Sequence, residues 1–197
     1  MTNQKFLLGL VIASIFLWLI ALGNLPLRDW DEGTYAIVAR EIYRTGNWLY
    51  PTLQGEPFML KPPLMQWLIA LCYHLGGVQE FTTRFPGAFL TALGVPLLYL
   101  VGNLVFTEKI SALFSALVYL TLLPVVRHGR LAMLDGMILT FFLLLFFFIL
   151  KAREQRKYAL GIGFCLGLIT LTKGTLVLVL ALMSGLFIIV LFYFKST

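Results

Sequence analysis

Asp31 and Glu32, Lys61, Arg84, the run from Arg127 through His128 to Arg130, Asp135 and Lys173 all stand at the edges of apolar stretches. A carboxylate held at such an edge can take a proton, with the apolar surroundings tuning its basicity. A cation there can face a phosphate in a lipid headgroup layer, or simply anchor a helix end. Asp31 and Glu32 open a segment with Tyr35, Val38, Ala39 and Ile42 at i, i+3, i+4 and i+7, the period of an amphipathic helix. The acids therefore serve either as caps for that helix or as proton acceptors. Lys61 precedes Pro62 and Pro63, residues suited to a helix start. It is an interfacial anchor or a phosphate ligand. Asp135 lies four residues into the apolar run that begins at Leu131. An aspartate costs roughly 2.5 to 3.5 kcal/mol at a bilayer centre and less near the interface, so it should have a partner such as Arg130, or a ligand. His128 has no second metal ligand at a recognisable spacing and reads as an interfacial histidine. Lys173, between Thr172 and Gly174, is a helix-end anchor or one more cation of the same face, and Gly163 with Gly167 predicts close helix packing.

The elements that must position these residues follow from composition. Of 197 residues 60% are hydrophobic and 12% charged, with a mean hydropathy of +0.91. That excludes a soluble enzyme and a disordered chain. Lys and Arg number 15 against 9 acids, but no basic run interleaves with exposed aromatics, so nucleic acid is not an expected partner. Cys72 and Cys165 sit in apolar surroundings, without disulfide or zinc spacing. About 20 apolar residues are needed to cross a bilayer as helix. Phe6 to Leu27, Phe85 to Thr107, Ile110 to Val126, Leu131 to Leu150, Tyr158 to Thr172 and Gly174 to Phe194 are the candidate spans. The run from Pro62 to Gly77 is ambiguous, because its apolar heart, Leu64 to Leu75, extends only about 18 Å as helix. If it does not cross, the inner face carries seven bases and two acids, including the basic loop from Lys151 to Lys157, as cytoplasmic loops prefer. The expected fold is thus an all-α polytopic membrane protein, one domain over residues 1–197. It has about six transmembrane helices and two membrane-surface helices in the first external loop. Both termini are cytoplasmic and the polar residues gather on the extracytoplasmic face.

Asp31-Glu32-x-x-Tyr35, Lys61-Pro62-Pro63-Leu64-x-x-Trp67, Arg130-x-Ala-Met-Leu-Asp135 and Thr172-Lys173-Gly174, in this order after a first span, resemble the protein O-mannosyltransferase and aminoarabinose transferase branch of the C-type glycosyltransferases. The resemblance covers essentially the whole chain and corresponds to the N-terminal portion of longer proteins. It implies a membrane glycosyltransferase that moves a sugar from a polyprenyl-phosphate donor to a lipid, protein or polysaccharide acceptor outside the membrane. It implies Asp31 as the catalytic acid residue with Glu32 beside it, Lys61 on the carrier phosphate, and Asp135 as the second acidic position. Arg84, Arg130 and Lys173 are the further cations expected at the substrate. The aminoarabinose transferases have Glu before Lys-Pro-Pro, where this chain has Leu60. No metal site is assigned on these residues, although a divalent metal is compatible with the family. The alternative function is a catalytically silent membrane module that binds a lipid phosphate or a partner protein.

Overall fold

The computed structural model describes residues 3–196, with side chains for residues 4–187. The described helices are α1 (Asn3–Leu19), α2 (Asp31–Thr45), α3 (Leu64–Gly76), α4 (Glu80–Val105), α5 (Lys109–Thr121), α6 (Leu123–Gly129), α7 (Leu134–Ala152), α8 (Ala159–Lys173) and α9 (Leu176–Ser196). A two-stranded antiparallel hairpin, β1 (Thr52–Leu53) with β2 (Glu56–Pro57), interrupts the helices. The sequence reading had no strand here. Gln54 and Gly55 make the tight turn, with φ of 56° and 85°. Glu41 of α2 holds it by accepting from Gln54 N at 2.6 Å, from Gly55 N at 3.4 Å and from the Thr52 hydroxyl. The Trp67 indole N–H donates to the Trp48 carbonyl at 2.6 Å, tying the hairpin region to α3 just after Lys61.

Helices α4 and α7 are long and apolar enough to cross a membrane, and α5 with α6 adds a third span if the bent pair counts as one. The expected continuous span from Ile110 to Val126 is broken instead, by 56° between Thr121 and Leu123. Pro124 explains the break. Its ring would clash with the carbonyl four residues back, so the helix must restart, and a proline is tolerated in the new first turn. Helix α1, at 17 residues, is shorter than the run from Phe6 to Leu27 expected there, whereas α8, at 15, has the length of the short run from Tyr158 to Thr172.

Two apolar clusters organise the helices. In one, Ala88, Ala92 and Val95 of α4 meet Ala112 and Ala116 of α5 and Trp18 of α1. Small side chains let the backbones approach, which is how helices associate where lipid is as apolar as leucine. The other cluster joins α2, α3, α7 and α8. It corrects the expectation that α2 rests its apolar face on the membrane: Tyr35, Val38, Ala39 and Ile42 are buried against the protein itself. Gly163 and Gly167 also depart from expectation, since nothing among the described residues packs on either.

Candidate active site

Glu32 and Arg84 form a buried ion pair, 2% and 3% exposed. Arg84 Nε donates to Glu32 Oε1 at 2.8 Å and Nη2 to Oε2 at 3.0 Å. Its other three N–H groups go to the carbonyls of Leu22 at 3.1 Å, Leu25 at 2.7 Å and Pro26 at 2.8 Å. All five guanidinium donors are used. Glu32 also accepts from Arg28 N at 2.8 Å and from Ala132 N at 3.0 Å. Burial alone would raise the pKa of this carboxyl. The Arg84 hydrogen bonds, those from Arg28 and Ala132, and the Arg84 charge outweigh it and hold the pKa below the ordinary 4.5. Two expectations are corrected by saturation: Glu32 has no oxygen left for an acceptor's proton, and Arg84 has no donor left for a phosphate. The pair is a knot that joins the segment after α1, the start of α2, α4 and the approach to α7.

Arg130 is tied to α1 through two of its five donors. Its guanidinium donates to the Leu17 carbonyl at 3.1 Å and to that of Ile20, so it closes the C-terminal end of α1, where carbonyls lack helical partners. It is not the partner of Asp135. Lys173, arriving from the end of α8, takes that place at 3.0 Å, with the lysine side chain 38% and the aspartate 57% exposed. Gly136 sets how close this region lies to α4, since a side chain there would fall 2.1 Å from Thr91 Oγ1.

Asp31 begins α2 but does not cap it. The N-cap residue is Trp30, with φ 76° and ψ −131°, and no side chain makes a capping bond. That backbone region suits glycine, and here it leaves an indole 90% exposed beside Asp31. Asp31 itself is exposed and enters no ion pair among the described residues.

These residues meet in three linked hollows. Trp30, Asp31, His128 and Met133 line one of 320 Å³, and His128, Asp135 and Gly136 line one of 280 Å³. Lys61, Pro62, Lys173 and Gly174 line the largest, of 590 Å³. Gly174 turns with φ 49°, a conformation that favours glycine, and this turn lies beside Pro62, next to Lys61. His128 is shared by the first two hollows. Its Nδ1 lies 2.9 Å from the Pro124 carbonyl, which can only accept, so Nδ1 carries the hydrogen. Sequence spacing gave His128 no role, because its neighbours come from α2 and α7. Tyr35, one helical turn beyond Asp31, is buried nearby, and burial first, then the Asp31 and Asp135 carboxylates, push its phenol above the ordinary 10.0. Among the described residues no group of three His, Cys, Asp or Glu side chains could hold a metal ion.

The family described as dolichyl-phosphate-mannose-protein mannosyltransferase matches residues 60–195. The chain is 31% identical over 191 residues to the undecaprenyl phosphate-alpha-4-amino-4-deoxy-L-arabinose arabinosyl transferase of Yersinia enterocolitica, covering 93% of this chain and 34% of that protein. The protein of the same name in Pectobacterium atrosepticum is 31% identical over 181 residues, covering 89% and 33%. The crystal structure of ArnT from Cupriavidus metallidurans in the apo state superposes with a TM-score of 0.83 at 21% identity, over 98% of this chain and 37% of that one. The structure of that protein bound to undecaprenyl phosphate gives 0.80 at 21% identity, over 90% and 34%. At that identity the likeness is one of fold. The chain spans about a third of the length of the curated relatives it matches.

Proposed function

Because this integral membrane chain belongs to the dolichyl-phosphate-mannose-protein mannosyltransferase family, we propose that it carries the donor-phosphate and acid–base side of a membrane glycosyltransferase. The donor is a sugar on a polyprenyl phosphate and the acceptor is a lipid, protein or polysaccharide hydroxyl. One observation carries the reading. Two lysines that are 112 residues apart in the chain, Lys61 and Lys173, line the same hollow, and Lys173 is bound to an aspartate of the neighbouring one.

Negative charge builds on the phosphate as the sugar leaves, and cations already fixed around that position lower the barrier. Lys61 and Lys173 supply them. The acceptor oxygen attacks the anomeric carbon, the bond to the phosphate oxygen breaks with its electron pair, and Asp31 takes the acceptor's proton. Direct attack inverts the anomeric configuration. A divalent metal would find Asp31 and Asp135 here and would need its other ligands from outside the described residues; it would supply further positive charge at the phosphate. The site lies at the Leu134 end of α7 and the basic loop after Ala152 at the other end, about 28 Å away for a helix of 19 residues. Basic loops favour the cytoplasm, which supports a site on the extracytoplasmic face with both termini inside.

The test is sugar transfer from a defined undecaprenyl-phosphate sugar in proteoliposomes, together with undecaprenyl phosphate binding. Asp31→Asn should abolish transfer and leave insertion and binding intact; transfer retained in this variant removes Asp31 from the mechanism. The chain's one-third coverage of its relatives favours a second reading, a silent module that binds the lipid phosphate. Binding with no turnover in the unaltered chain would select it.

A further inference from the structure

Tyr35 is 1% exposed and belongs to the core shared by α2, α3, α7 and α8. Packing accounts for its ring. Its hydroxyl is shut off from solvent and makes no hydrogen bond of ordinary geometry, a state that phenylalanine would avoid with the same shape. Trp18, Tyr99 and Tyr119 also bury an unpartnered polar atom, and they belong to the cluster of α1, α4 and α5. Tyr35 differs in its surroundings. Asp31 precedes it by one turn on the same helix face, and Asp135 approaches from the start of α7. Burial first, and then these two carboxylates, push the phenol far above its ordinary 10.0, so it remains a neutral donor at any physiological pH. Lys173, held by Asp135, and Arg28, Asp29, Glu32 and His128, which share the hollow of Asp31, are the other charged or titratable groups nearby.

We propose that Tyr35 is a positioning residue for the transfer reaction, its hydroxyl donating to the Asp31 carboxylate and so selecting the carboxylate oxygen left free for the acceptor. The inference rests on Asp31 being the acceptor's base. In the step, the bond from acceptor oxygen to anomeric carbon forms as the bond from that carbon to the phosphate oxygen breaks. The electron pair leaves on the phosphate, the acceptor's proton passes to the free Asp31 oxygen, and Tyr35 keeps its own proton throughout.

Tyr35→Phe tests this, because it keeps the buried ring and removes the hydroxyl alone. The variant should fold and insert like the unaltered chain. Its kcat for transfer should fall about ten- to a hundredfold, the worth of one hydrogen bond to a charged group, with the donor KM unchanged. Independently of turnover, the Asp31 carboxyl ¹³C resonance, assigned by its loss in Asp31→Asn, should move at neutral pH in Tyr35→Phe. Incorporation of 3-fluorotyrosine at position 35, which keeps the donor, should preserve kcat. An Asp31 resonance that does not move in a folded Tyr35→Phe protein overturns the proposal. Transfer that needs Asp31 but proceeds at full rate in Tyr35→Phe removes Tyr35 alone and leaves the glycosyltransferase reading standing. Absence of transfer in the unaltered chain, with the resonance still moving, removes both roles and leaves only the contact.

Discussion

Replacing Glu32 by Gln preserves the size of the side chain and removes the charge that faces Arg84. Each Glu32 oxygen receives one guanidinium N–H and one backbone N–H: Oε1 from Arg84 Nε and Ala132, Oε2 from Arg84 Nη2 and Arg28. Whichever way the new amide is turned, its NH₂ therefore confronts two donors, and one of them always belongs to Arg84. Removing one member of a buried pair costs about 3–5 kcal/mol, because the other charge is left uncompensated. Chemical unfolding of the purified chain in mixed micelles, followed by tryptophan fluorescence, should show a loss of that size. The double variant Glu32→Leu with Arg84→Met should not recover it. Three carbonyls, of Leu22, Leu25 and Pro26, and two backbone N–H groups, of Arg28 and Ala132, would still lack partners. The pH dependence has a definite sign. A carboxyl whose folded pKa lies below its unfolded value of about 4.5 stabilises the fold above that value and ceases to do so as pH falls through the folded pKa. The gap between Glu32→Gln and the unaltered chain should therefore close in acid. A Glu32→Gln protein within about 1 kcal/mol of the unaltered chain at neutral pH would refute the reasoning.

Lys173→Ala should weaken undecaprenyl phosphate binding about tenfold or more, as loss of a charge-assisted contact would. Asp135→Asn should strengthen it, because the phosphate no longer competes for Lys173; calorimetric titration measures both, and equal affinities would remove Lys173 from the donor site. Neither change should alter stability by more than about 1 kcal/mol, since the pair is well exposed and screened. Gly136→Ala should destabilise the chain by about 1–3 kcal/mol through overpacking against Thr91, and impair transfer by displacing Asp135; unfolding and activity measurements check it. In a background lacking Cys72 and Cys165, an impermeant thiol reagent added outside intact cells should label Leu60→Cys and not Gln155→Cys.

Much of this protein was legible in the order of its residues. Hydrophobicity is read along the chain, so the apolar runs that became α4 and α7, the short helix after Pro63 and the amphipathic period from Tyr35 to Ile42 needed no knowledge of what lay across from them. The motifs also singled out Asp31, Lys61, Asp135 and Lys173, which line neighbouring hollows in the structure, and hydropathy put them at one end of the apolar segments. Spacing could not say how these ionisable groups pair. Glu32 and Arg84 are 52 residues apart, and Asp135 and Lys173 are 38 apart. Which cation a carboxylate meets depends on how α4, α7 and α8 pack. Arg84 and Arg130 are chemically as fit to hold a phosphate as Lys173 is. Tertiary structure instead gave all of Arg84's donors to Glu32 and to three carbonyls after α1, whose burial without a partner would be costly, and two of Arg130's to the carbonyls of Leu17 and Ile20. The hydroxyl of Tyr35, four residues from Asp31 in the chain, became significant only when α7 brought Asp135 to it.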